Sequence, residues 1–160
     1  MIECIFENGN KADRGLRHVV VDALVVDQNK ILLVKRSPQI TNGGKYAIVG
    51  GFVERSENTK DACVREVKEE TGYDVKLTFL LRIADNPDRP AEDRQNISFV
   101  YVAEVIGKSG EKDWESTEVK WFDLDKLPSK EDFAFDHYEN IQLYIKYLKE
   151  KFTLPIVGKI

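Results

Sequence analysis

Three glutamates, Glu66, Glu69 and Glu70, stand at a spacing that a helix would gather onto one face. At about 100° per residue they fall within roughly a third of the helix circumference. Cys63, Val64 and Val67 fall on the adjoining arc, which is expected to face a core. Like charges on one helix face repel one another, so a chain that keeps them together is expected to neutralise them with something bound. The donors are oxygens, with no clustered His or Cys, and this favours a hard cation, magnesium or manganese, over zinc.

The flanking residues have the chemistry to position such a helix. Asn58 is a candidate N-cap, with Asp61 three residues later near the positive end of the helix dipole. Gly72 stands where a left-handed C-cap is expected. Gly50 and Gly51 precede the helix in a loop with Arg55-Ser56-Glu57, and glycines let backbone approach a ligand closely. Arg65 neighbours Glu69 on the helix projection and is placed to hold a loop carboxylate such as Glu57.

Read from Gly51 to Tyr73, this segment resembles the Nudix box, Gly-x5-Glu-x7-Arg-Glu-U-x-Glu-Glu-x-Gly-U, where U is a bulky apolar residue. All nine defined positions match within 23 of the 160 residues, with Tyr73 as the final bulky one. The resemblance implies the Nudix fold, an α/β/α sandwich around a mixed β-sheet. It also implies metal-dependent cleavage of a nucleoside diphosphate linked to another group. It maps Glu66, Glu69 and Glu70 onto ligands of Mg2+ or Mn2+, and Gly51 onto a loop residue whose backbone can bind metal or phosphate. Glu57 and Arg65 map onto supporting positions. The family's general base is a box glutamate or a carboxylate from a later loop. Here that later region offers Glu111, Asp113, Glu115 and Glu118, and Glu115 and Glu118 are preferred as closest before the strand entering Trp121.

Substrate must be read outside the box. Pro87 lies fifteen residues after Gly72, within Asn86-Pro-Asp-Arg-Pro90. This resembles the ADP-ribose pyrophosphatases of the family, in which a proline occurs at about this offset, and Phe133-Ala-Phe-Asp-His137 resembles a further segment of them. The alternative for the proline loop is an ordinary turn between strands. As a rigid loop it is expected to bring Arg89 or Arg94 to a phosphate or a terminal ribose. Arg36 is a further phosphate candidate, and Tyr46, Trp114 and Phe135 are candidates to stack a base. Trp121 is expected in the core, and His137 reads as a polar residue at a helix N-terminus. The resemblance thus implies hydrolysis of ADP-ribose to AMP and ribose 5-phosphate. A hydrolase of normal or oxidised nucleoside triphosphates shares the box and remains the alternative. A non-catalytic ADP-ribose sensor is less favoured, because all box carboxylates are kept and only residues 154–160 follow the last expected helix. One departure is Val49 where the family often has proline before the paired glycines.

The 160 residues suit one domain spanning 1–160, with the box at 51–73. A net charge of −4 gives no basic footprint for nucleic acid. No apolar run approaches membrane-spanning length and no signal-peptide pattern opens the chain. Cys4 and Cys63 have no metal-ligand spacing and are expected as free thiols in a reducing cytoplasm. A homodimer is an expectation from the family alone. Strands are expected over 18–26, 31–36, 46–49, 75–84, 97–105 and 119–124, and a helix over 136–152. This mixture points to α+β packing, a sheet covered by helices.

Overall fold

Strand β1 (Val19–Asp27) is buried almost throughout, so both of its faces need cover. The computed structural model, which describes residues 5, 8–11, 16–92, 94–111 and 113–160, shows how the chain provides it. Eight strands form one mixed sheet: β1, β2 (Lys30–Arg36), β3 (Tyr46–Ala47), β4 (Val49–Phe52), β5 (Tyr73–Ala84), β6 (Ile97–Lys108), β7 (Ser116–Asp123) and β8 (Ile156–Val157). The main path runs β3-β2-β1-β6-β5-β8, with β4 paired to β1 and β7 to β2. β1 and β6 are parallel, as are β5 and β8. Helix α1 (Thr59–Thr71) and helix α2 (His137–Lys149) supply the outer layers.

Strand alternation divides the core in two. Val21, Ala23 and Val25 of β1, Leu32 and Val34 of β2, and Tyr101 and Ala103 of β6 pack with Ala62, Cys63 and Val67 of α1. Leu24, Ile31, Leu33, Val100 and Val102 point to the other face and pack with Ile141 and Tyr144 of α2. The expected sandwich is therefore present, with Cys63 buried as a free thiol beneath α1. Cys4 lies outside the described residues. Val64, expected on the core arc, is 37 % exposed, because the apolar stripe is narrower and centres on Cys63 and Val67. No helix among the described residues is long and apolar enough to cross a membrane.

Several boundaries differ from the sequence pattern. The expected strand over 46–49 splits at Ile48, with β3 pairing with β2 and β4 with β1. At the break the Ile48 N–H leaves the ladder and donates to His137 Nδ1 at 3.2 Å. β7 begins at Ser116, three residues before the expected start. Strand β8, which the sequence pattern does not reveal, pairs with β5 beyond α2.

A chain of buried charges crosses the α2 side of the sheet. Arg82 donates from Nη1 to Asp136 Oδ2 at 2.8 Å and to Asn140 Oδ1 at 2.6 Å, and caps the Gly158 carbonyl. Arg89 Nε donates to Asp136 Oδ1 at 2.6 Å, and its Nη2 lies 3.3 Å from Asp22 Oδ2. Ser98 Oγ also donates to Asp22, whose other oxygen lies 3.5 Å from His137 Nε2. Burial alone would raise the Asp22 carboxyl, but the His137 ring, Arg89 and Ser98 hold it well below the usual carboxylate range. Asp136 is likewise pushed up by burial and held down overall by the guanidiniums of Arg89 and Arg82.

Breaking such a network strands buried charge. Asp136→Asn should cost about 3 kcal/mol or more in urea unfolding at neutral pH; a loss below about 1 kcal/mol would mean that the pairs only offset their own desolvation. Both carboxyls titrate below their ordinary 3.8, so their stabilisation is complete above that pH and is lost as pH falls toward the folded-state values. The variant should accordingly lose stability less steeply than the parent below about pH 4.

Candidate active site

Helix α1 begins and ends as its caps dictate. Asn58 Oδ1 accepts from the N–H groups of Lys60 and Asp61 at 3.0 and 3.1 Å. Gly72 adopts φ 74° and donates to the Lys68 carbonyl at 2.8 Å. A Cβ there would also fall 2.1 Å from the Gly110 carbonyl oxygen. The helix start and stop thus fix the angular positions of the three glutamates.

Arg65 organises the helix face. Its Nε and Nη2 form a fork on the two Glu57 oxygens at 3.1 and 2.6 Å, and Nη2 also donates to the Phe52 carbonyl at 3.0 Å. Nη1 donates to Glu66 Oε1 at 2.8 Å and Glu69 Oε2 at 2.9 Å. The expected Arg65–Glu57 contact is therefore formed, and Arg65 also offsets the charge of two of the three clustered glutamates.

Glu70 is different. It is buried, and among the described residues its oxygens accept long hydrogen bonds, from Gly50 N–H at 3.4 Å and Ser116 Oγ at 3.3 Å. Burial, with Glu66 and Asp113 nearby, pushes its carboxyl up to about 8. Burial also raises Glu66, against the pull of Arg65. Among the described residues no three acidic, His or Cys side chains stand in a ready metal-ligating arrangement, since Arg65 engages Glu66 and Glu69. The residues nevertheless fit a divalent cation. Every donor is an oxygen, Glu70 is a buried carboxyl without a cationic partner at contact distance, and Glu69 is half-exposed and able to turn. A Cβ on Gly51 would fall 2.4 Å from the Glu66 carboxylate, so only glycine lets that carboxylate lie against the loop backbone.

Several of these groups line a cavity of about 630 Å³, within the range of small-molecule sites. Gly51, Glu66, Glu69, Asp113 and Glu115 line it. Arg36, Arg89, Arg94, Phe135 and His137 also line the cavity, with Asp22, Glu54 and Glu92 among them. The Phe135 ring lies between the Arg36 and Arg89 guanidiniums, 5.3 and 5.1 Å from its centroid. Arg36 Nε donates to the Thr41 carbonyl at 2.8 Å, and its Nη groups take no carboxylate partner among the described residues. The β6–β7 loop is tied to α1 by Asp113 N–H to the Glu69 carbonyl at 3.0 Å and Gly110 N–H to the Gly72 carbonyl at 3.2 Å. That tether carries Asp113 and Glu115 to the carboxylates, and the Glu115 N–H donates to Asp113 Oδ1 at 2.9 Å.

Other expected residues stand elsewhere. Glu118 lies within β7, opposite Lys35, with its side chain half-exposed and outside the cavity. An earlier strand start puts it in a ladder rather than in the loop. Tyr46 packs on Phe122 and Phe133 on the α2 side, and Pro87 lies outside the cavity lining. Arg89 reaches the cavity but is bound to Asp22 and Asp136. Trp114 is 65 % exposed, outside the lining, while Trp121 packs against the core as expected. Sequence reasoning passed over Asp22, whose position in an apolar strand was the available signal, and Phe52, an exposed aromatic at the cavity mouth with Arg94 5.5 Å over its ring. His137 was read only as a helix-end residue, and it is both that and a buried contact of Asp22.

Known proteins share this fold. The NUDIX domain model matches residues 16–144. An ADP-ribose pyrophosphatase from Methanocaldococcus jannaschii is 40 % identical over 129 residues, covering 81 % of this chain and 73 % of that protein. A NUDIX hydrolase from Nitrosomonas europaea shares the fold with a TM-score of 0.73 at 23 % identity, over 99 % of this chain and 94 % of its own. A bifunctional NMN adenylyltransferase/ADP ribose pyrophosphatase from Francisella tularensis, solved with AMP and a Mn ion, matches 87 % of this chain and 43 % of its own, with a TM-score of 0.60 at 25 % identity. With the family model spanning most of its length and every box position filled, the chain belongs to the NUDIX domain family.

Proposed function

We propose that this Nudix hydrolase cleaves the diphosphate of ADP-ribose to AMP and ribose 5-phosphate, with Mg2+ as its working cation. The observation that carries this reading is one cavity lined both by carboxylates of α1 and the β6–β7 loop and by an arginine–aromatic cluster. A diphosphate ester carries charge to be cancelled at its centre and polar or aromatic groups at its ends, which is the pattern of that lining. The 40 % identical ADP-ribose pyrophosphatase supports the choice of substrate.

Glu66, Glu69 and Glu70, with the Gly51 backbone, would hold the cation. When bound it cancels charge on the phosphoryl oxygens and lowers the pKa of an attacking water. Arg65 keeps Glu57, Glu66 and the Phe52 carbonyl in register. Arg36, stacked over Phe135 in the cavity lining, is placed to meet the diphosphate. Phe52, 41 % exposed at the mouth, offers a face to the adenine, with Arg94 beside it. Glu115 accepts the proton of the water, and Asp113, anchored to α1, sets its backbone. The buried free thiol of Cys63 supports a reducing, cytoplasmic setting.

With ADP-ribose as substrate, Glu66→Gln should lower kcat at least about 100-fold, more than loss of a supporting partner ordinarily costs. Glu115→Gln should lower kcat and Glu118→Gln should leave it unchanged; the reverse order would return the base to the strand. In chelated protein, Glu70 adds a pH dependence of opposite sign to that of Asp22 and Asp136. Its folded-state pKa of about 8 lies above the ordinary 4.5, so ionising it opposes folding and stability falls as pH rises between those values. By pH 7 the cost is on the order of 3 kcal/mol. Glu70→Gln should therefore raise the Tm of chelated protein at pH 7 while abolishing turnover. A lower Tm with activity retained would make Glu70 a structural residue.

A further inference from the structure

The connection between β3 and β4 determines where Gly50 and Gly51 lie, and therefore the cradle for Glu66 and Glu70. Two ladders hold its ends: Tyr46 and Ala47 pair with β2, and Val49 to Phe52 with β1. Ile48 belongs to neither strand, and its side chain is buried in the core under α2. A buried N–H that leaves a ladder needs another acceptor. His137 Nδ1 is that acceptor, at 3.2 Å. An Nδ1 that accepts is unprotonated, so the neutral ring carries its hydrogen on Nε2. Nε2 faces Asp22 Oδ1 at 3.5 Å, and Asp22 is the β1 residue directly opposite Gly50. One ring thus joins the strand break to the strand against which the glycines lie. Two residues beyond Ile48, the Gly50 N–H contacts Glu70.

We infer that His137 is a positioning residue for the cation site: by accepting the Ile48 N–H it fixes the path of residues 48–51 on which the Glu66–Glu70 cradle depends, while the Asp22 contact only orients the ring. The inference rests on the cation-site reading above and adds to it a residue on the opposite side of the sheet from α1. It assigns separate tasks to the two ring nitrogens. Nδ1 holds the backbone break, and Nε2 keeps the ring oriented through Asp22.

Two substitutions separate these tasks. In His137→Asn the side-chain oxygen can take the place of Nδ1 and accept from Ile48, while the Asp22 contact is lost. In His137→Gln the amide can reach Asp22, while the acceptor for Ile48 is lost. Free Mn2+ is titrated by electron paramagnetic resonance against the full chain without substrate, and the Tm of each chelated variant is recorded alongside. His137→Gln should bind Mn2+ roughly 10-fold more weakly, the scale of a lost supporting contact, and His137→Asn should stay within about twofold of the parent. Equal affinity in all three proteins, or equal weakening in both variants, would overturn the inference. A parent that binds no Mn2+ would instead overturn the cation-site reading itself. The unmutated protein gives an independent check that does not depend on a variant folding. Labelled with 15N, it should show a nitrogen–nitrogen coupling across the hydrogen bond from the Ile48 amide to His137 Nδ1, and absence of that coupling would also overturn the inference.

Discussion

Repulsion among carboxylates on one face of α1 is the constraint around which this structure is organised. Glu66 and Glu69 lie on the side of the helix that lines the cavity, and Glu70 is buried beside them. The protein meets this constraint in two ways. Arg65 uses both edges of its guanidinium, binding Glu57 through one and Glu66 and Glu69 through the other. Glu70 lies deeper, beyond the reach of that clamp, and its ionised form is disfavoured. A bound divalent cation is the natural counterpart to a carboxyl in that position, and a phosphate ester is what such a cation would then attract.

The rest of the fold maintains this geometry. Because α1 and α2 cover opposite faces of β1, the site is built on a sheet buried from both sides. The β6–β7 loop is fastened to the C-terminal end of α1, so Asp113 and Glu115 are delivered by hydrogen bonds to the same helix that carries the box glutamates. On the other side, Asp22, Arg82, Arg89, Asp136 and His137 connect β1, β5, the proline-containing loop and the start of α2. Such buried networks stabilise little when intact and cost much when broken. Their contribution here is to fix relative positions.

What was legible in the sequence is what depends on local physics. The α1 caps, the glutamate face, the Arg65–Glu57 pair and the burial of Cys63 and Trp121 all follow from spacing along one segment or from alternation in one strand. What was illegible depends on partners distant in sequence. Asp22 drew no expectation from its strand, because Arg89, Ser98 and His137 meet it from separate elements. Arg89 looked like a free cation for phosphate, but two buried aspartates claim it. Glu118 looked like a loop residue because the apolar pattern starts at Val119, whereas pairing with β2 extends β7 back to Ser116. Tyr46, a candidate to stack a base, is instead turned by its short strand toward Phe122 and Phe133.

The proposed reaction is cleavage of a diphosphate joining AMP to a sugar phosphate, in the cavity shared by the carboxylates and the arginine–aromatic cluster. The most direct test is a Mg2+-dependent hydrolysis panel. It sets ADP-ribose, other ADP-sugars, NADH, diadenosine polyphosphates and normal and oxidised deoxynucleoside triphosphates side by side, with products separated by chromatography. The account predicts the highest kcat/KM for ADP-ribose, with AMP and ribose 5-phosphate as the products. A preference for a triphosphate with release of pyrophosphate would contradict it, and would mean that the arginine–aromatic cluster serves a different nucleotide.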